Sequence, residues 1–390
     1  MPWDCCSVST FELKTVTQQF NVEEKPRPLS GLFYIRETII VNTTALNGRL
    51  GLLHGPFYDA ALVAGTLTLA LLAWGSVHWD ENLFWPILVL DLWLLGYHHV
   101  VATYTRLASD TQSIREHRFL IFALPWLVLA GVLVLANTVG IIAVASTYLY
   151  WQWWHYLRQS EGISKAYLGR SGMARAGADP YLRFAFYGLP LASFLTMIDR
   201  QPGVFLNMPI WTFPVNDVLL HALWAASVGA ATVFLFRWRK DWKDGAFKIA
   251  YPTFLVSHIA IFLIAYAGTE SINHGWLAVN IWHNAQYLLF VWLFNQRRFK
   301  DGVQKKAWLL SFLSQPGRGW LYFLALFTVT TVFYFSVDTV INFLQSSYAI
   351  PLTIIAYQTL NFHHYIVDSM IWKLRKKTVR SRIFESEGKA

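Results

Sequence analysis

Imidazole and carboxylate side chains hold iron, zinc, copper or manganese. Six histidines and one aspartate are therefore the first residues to place: His54, His98, His99, His155, His363, His364 and Asp368. Their neighbours repeat at helical spacing. Asn361, His364 and Asp368 stand at i, i+3 and i+7, and Tyr148, Gln152 and His155 at i, i+4 and i+7. Each set predicts one polar stripe on a helix. Asp91 and His98, seven apart, are expected to share a face. A further stripe, Asn280, His283, Asn284 and Tyr287, offers His283 as an additional ligand. Helical neighbours differ by about 100°. Of the pairs His98-His99 and His363-His364, one member would thus bind metal while the other orients a neighbour, or each would reach a different ion. Tyr97, Gln152 and Asn361 are expected to fix imidazole tautomers around such a site. Asp368, Tyr97 and Asn361 are the candidates for catalytic contact. A lone histidine in a membrane helix more often bridges helices by hydrogen bonds, which is the expectation for His221 and for His258 taken singly.

The elements that must carry these groups follow from composition. Of 390 residues, 55% are apolar and only 14% charged, where a soluble protein carries roughly 25% charge. The apolar residues fall in blocks of about 20, the length that spans hydrocarbon. Such blocks exclude a soluble globule, a disordered chain and an outer-membrane barrel. They predict an all-α, polytopic transmembrane bundle, since a helix satisfies its own backbone in lipid. Ten spans are expected, near 57–76, 83–105, 119–137, 139–158, 183–199, 216–236, 248–268, 276–296, 319–341 and 346–372. Every Lys and Arg except Arg200 lies in the N-terminal segment, in the second-to-third, fourth-to-fifth, sixth-to-seventh and eighth-to-ninth connections, or in the tail. That asymmetry predicts cytoplasmic termini and explains the +9 net charge without nucleic acid. The expected division is a cytoplasmic segment 1–55, a transmembrane domain 56–373 and a basic cytoplasmic tail 374–390. Residues 1–20 lack a basic stretch followed by an apolar one, so no cleavable signal is expected. The stretch 163–183 reads as a short amphipathic surface helix broken near Asp179-Pro180. Trp372, like Trp79, Trp85 and Trp153, fits an interfacial aromatic belt. The adjacent Cys5 and Cys6 support no disulfide framework.

With this orientation, His54, His98, His99, His155, His363, His364 and Asp368 reach one depth, the cytoplasmic third, from four helices. Ionisable groups inside a membrane are costly, so this convergence points to function. The sequence holds no Walker A, GxGxxG, CxxC, CxxCH or HExxH motif, and no HxxxH or HxxHH set of the membrane desaturases. His283-x-x-x-Tyr287 followed by His363-His364 resembles the copper-site pattern of haem-copper oxidase catalytic subunits over those few residues. The remaining haem-ligand pattern has no counterpart, and the depths of His283 and His363 differ. His54-Gly55-Pro56 with Asp59 is similar to a short histidine motif of membrane β-carotene-cleaving dioxygenases, over residues 54–59 only.

The resulting expectation is an integral-membrane oxidoreductase. It would use non-haem iron, one ion or two, and act as an oxygenase, hydroxylase or desaturase on an apolar lipid or isoprenoid that enters from the bilayer. Zinc, copper or haem b are the alternative cofactors. A reductase or other electron donor is expected at the cytoplasmic face, and a bacterial inner membrane in preference to an endoplasmic reticulum. Two other readings remain open: a b-type haem or quinone-linked electron carrier, and a proton- or ion-coupled transporter whose polar path runs from Asn280 to Asp368.

Overall fold

The apolar blocks become long helices. The computed structural model describes residues 47–171, 179–243, 248–347, 350–373 and 377–384. In chain order the long helices are α1 (Pro56–Trp79), α2 (Glu81–Leu107), α3 (Phe119–Thr138), α4 (Ile141–Ser171), α5 (Pro180–Asp199), α6 (Asp217–Lys243), α7 (Ala250–Ala267), α8 (Ile272–Arg298), α9 (Gly319–Gln345) and α10 (Leu352–Ile371). Among the described residues, seven helices are long and apolar enough to cross a membrane: α1, α2, α3, α5, α6 up to Lys240, α7 and α9. They present Leu72, Phe122, Trp126, Phe236, Phe335 and Phe343 on the outside. An apolar surface of that extent calls for hydrocarbon as its solvent. The chain is an integral membrane protein.

α4, α8 and α10 are long as well, at 31, 27 and 20 residues, but fall outside the apolar seven. They carry His155, His283 and the His363-His364 pair. α8 explains how that is tolerated. It packs against α1, α2, α4 and α7, so protein rather than lipid surrounds it, and Trp276 and Trp282 are fully buried. Close approach is needed there. A Cβ on Gly275 of α8 would lie 1.8 Å from the carbonyl oxygen of Ala265 in α7.

Among the described residues, four helices contain a π turn, at Ala61–Gly65, Leu92–Gly96, Phe119–Ala123 and Leu263–Ala267. A π turn inserts extra backbone and rotates the helix beyond it. The one at Leu92–Gly96 separates Asp91 from His98 and His99, so a count at 3.6 residues per turn misplaces them.

Shorter features tie the helices together. Asp59 accepts hydrogen bonds from the backbone N–H groups of Leu53, His54 and Gly55 at 2.8, 3.0 and 3.0 Å. This ties the segment before α1 back onto its first turn, whose first residue is the proline of His54-Gly55-Pro56. Arg200, the one basic residue away from the basic connections, donates to the carbonyls of Thr269 and Ala267. It serves there as a cap on the end of α7. A hairpin that the hydropathy pattern does not announce pairs Val204–Phe205 with Met208–Pro209. Leu206 and Asn207 sit at positive φ in its turn, as this turn class requires.

The stretch 163–183 departs from expectation. Its first part continues α4 to Ser171 instead of forming a separate surface helix. Its small-residue part, 172–178, lies outside the described residues. Asp179 then caps α5 through the amides of Tyr181 and Leu182. Of the expected N-terminal segment, residues 1–46 lie outside the described residues, as do 374–376 and 385–390 of the tail. Lys377–Phe384 is helical.

Candidate metal centre

Four side chains from three helices converge. Each of His99 (α2), His155 (α4), His364 and Asp368 (α10) offers a ligand atom, and these atoms all lie within 4.8 Å of one another. All four residues are buried. The Nε2 atoms of His99 and His364 are 2.6 Å apart, within hydrogen-bond distance of each other. His283 of α8 closes the cluster, its ring 4.6 Å from that of His99 and 5.0 Å from that of His155.

The local fold decides which member of each pair takes part. After the π turn, His99 stacks on Tyr287 of α8 at 4.2 Å, while His98 stacks on Phe327 of α9 at 5.1 Å. Asp91 and His99, rather than Asp91 and His98, therefore share the face toward α8. In α10, His364 enters the cluster, whereas both nitrogens of His363 are engaged elsewhere, by the Tyr104 hydroxyl at 3.2 Å and the Leu120 carbonyl at 2.7 Å.

A polar shell holds these rings. Thr103 Oγ1 lies 2.9 Å from His364 Nδ1, 2.7 Å from the Tyr287 hydroxyl and 3.3 Å from Asp368 Oδ1. Tyr287 donates to Asp368 Oδ1 at 2.8 Å and accepts from Trp372 Nε1 at 3.1 Å. With Thr103 donating to Asp368, its oxygen accepts from His364 Nδ1–H. That tautomer leaves His364 Nε2 unprotonated and able to bind a metal. Residue type and motif did not single out Thr103, although it stands four residues beyond His99 and so shares its face. Trp372, expected in an interfacial belt, is instead a hydrogen-bond donor to this shell.

The other candidates lie apart from the convergent set. The His54 ring meets Tyr58 and Trp292 edge-on. Its motif is accounted for locally by the Asp59 hydrogen bonds. Tyr97 stacks on Tyr334 at 3.9 Å and borders Tyr357, a tyrosine trio away from the imidazoles. Asn361 is paired with Gln358 at 3.4 Å. Gln152 and Tyr156 both donate to Asn280, at 3.2 and 2.6 Å, and Asn280 donates to Asp91 at 2.6 Å. This second network locks α2, α4 and α8 in register beside the cluster. His258 bridges helices, with Ser160 at 2.8 Å and the Phe186 carbonyl at 3.0 Å on its two nitrogens.

Two observations bear on whether the donors fit a metal ion. His155 Nε2 and His283 Nδ1 are buried with no hydrogen-bond partner among the described residues. Orphaned buried polar atoms are costly, and an ion shared with His99, His364 and Asp368 would satisfy His155. The donor set, imidazoles with one carboxylate, is that of iron, zinc, copper or manganese sites. The cluster is also reachable. A cavity of about 550 Å³ is lined by His155, Tyr287 and Asp368 together with Trp151, Phe290 and Tyr365. Replacing Thr103 with valine removes the Oγ1 contact to His364 at nearly constant volume. We expect metal affinity to fall about 10- to 100-fold, as read by competition with a chromogenic chelator, and stability to fall by about 1–3 kcal/mol from the lost buried hydrogen bonds.

No family model, no curated protein and no solved structure matches this chain.

Proposed function

We propose that this protein is an integral-membrane, histidine-ligated metalloenzyme, a non-haem iron oxidoreductase of the oxygenase, hydroxylase or desaturase type that acts on an apolar lipid or isoprenoid. The observation that carries this reading is the convergence of His99, His155, His364 and Asp368 from three separate helices, with His155 and Asp368 lining a cavity. One convergent set favours one ion over two. Those four residues would hold it, with His283 alongside. Iron bound by imidazoles and a carboxylate keeps open positions, and the chemistry it supplies there is oxygen activation.

The chain's own groups have definable parts. Thr103 sets the tautomer of His364, and the Tyr287 hydroxyl holds a proton against Asp368 at the cavity wall. An apolar substrate lying along the aromatic wall of the cavity would exclude water from the centre. Haem b fits less well, because the imidazoles touch one another. Ring centroids of His99, His155, His283 and His364 are separated by 4.5–6.1 Å, which leaves no slot for a macrocycle.

All ten long helices would cross the membrane, with both termini cytoplasmic, since Lys and Arg on alternate connections favour that orientation. The short connections favour a bacterial inner membrane. The basic face would receive the electron donor. Elemental analysis of the purified protein tests the reading, together with oxygen consumption on adding membrane lipid extract and a reductant. Stoichiometric iron and lipid-dependent oxygen uptake are expected. Folded protein that takes up no transition metal would sink it.

A further inference from the structure

The cavity has two chemically different ends. Its buried end is His155, Tyr287 and Asp368. Its rim carries Arg158, Lys165 and Lys373, and the first two side chains are 51% and 53% exposed. Among the α4 lining residues, Trp151, His155, Arg158, Gly162 and Lys165 follow one another at three or four positions, so one helix stripe runs from the cluster to the charged rim. His155 and Lys165 are ten residues apart, about 15 Å along the helix axis. Trp151, Phe290 and Tyr365 supply apolar wall along the way.

Charge at the rim is unbalanced. Glu161 takes both Arg158 and Lys165 as partners, leaving three cations against one carboxylate among the rim residues. A neutral hydrocarbon has no use for such a rim. A molecule with an anionic head and a hydrocarbon chain matches both ends. We propose that the cavity binds a long-chain carboxylate, with its head among Arg158, Lys165 and Lys373 and its chain lying along the aromatic wall to His155. This names the substrate class of the proposed enzyme and rests on that reading for the role of the cavity. It also places the chain position nearest the centre well away from the head, at up to about 15 Å.

Photolabelling with a diazirine-bearing palmitate tests the proposal, with the full-length protein in neutral phosphatidylcholine nanodiscs. Label is expected in peptides that carry the cavity lining, 151–165, 287–290 or 365–373. Palmitate should compete about ten-fold better than hexadecanol, and two-chain phosphatidylglycerol should compete poorly. Removing each rim cation should weaken labelling about five-fold, and the double variant Arg158→Gln/Lys165→Gln more than about ten-fold. Lys240→Gln, an exposed cation on α6, should change nothing. Equal competition by hexadecanol or by phosphatidylglycerol, label elsewhere, or full labelling of the double variant would each overturn it. Metal content is measured on the same samples. Bound iron without charge-selective labelling defeats the carboxylate alone, and charge-selective labelling of a protein that binds no metal defeats the metalloenzyme alone.

Discussion

His364→Ala protein is expected to emerge from purification without transition metal, while His363→Ala keeps the full complement. The two residues are adjacent, so the pair separates ligation from general damage to α10. His364 Nε2 faces His99 Nε2, and its Nδ1 is held by Thr103. Truncation removes a ligand and takes one hydrogen-bond partner each from Thr103 and His99. Since groups that merely orient a ligand are worth 10- to 100-fold in affinity, losing the ligand should cost more than about 100-fold. His363 instead ties α10 to Tyr104 and to the Leu120 carbonyl. Its removal should lower stability by about 1–2 kcal/mol and leave the centre loaded. Plasma mass spectrometry on gel-filtered samples gives the metal-to-protein ratio directly. Equal metal loss in both variants, or retention in both, would refute the assignment of His364 over His363.

The second large effect is expected from a residue with no side chain. Gly275→Ala sets a methyl group against the Ala265 carbonyl, where the ideal position lies only 1.8 Å from the oxygen. Neither partner can yield by rotating a side chain, because the obstacle is backbone in a π turn. The helices must separate, and α8 is the element that carries His283 and Tyr287 into the cluster. Overpacking of this kind costs about 1–3 kcal/mol or more. A melting temperature lower by roughly 1–4 °C is expected, together with weaker metal binding. Gly131→Ala is the matched control, since an added methyl there meets nothing within 4 Å. It should leave both readouts unchanged. A Gly275→Ala protein as stable as the control would show that α7 and α8 do not meet as described.

Membrane character and helical architecture were legible in one dimension, because hydrocarbon demands long apolar runs whose backbone bonds close internally. The three helices that carry most of the candidate ligands stand outside the apolar seven for the same reason. Their polar stripes are tolerated only when other helices cover them, as α1, α2, α4 and α7 cover α8. The stripe Asn280, His283, Asn284 and Tyr287 was visible from spacing, and so was the relation of His364 to Asp368, because an uninterrupted helix keeps its period. Asp91 with His98 failed where the period itself broke, at the Leu92–Gly96 π turn.

Other distinctions had no sequence signal at all. Whether His99 or His98 faces inward depends on where α8 and α9 stand. His54 and His155 are the same residue type at similar expected depth. One belongs to a helix start held by Asp59, the other to a helix that passes the cavity. Residue type and spacing determined that imidazoles and a carboxylate would be buried in a membrane. Only the packing of helices distant in sequence decided which of them meet, because side-chain direction is set by the helix, while proximity is set by whichever neighbour that helix is pressed against.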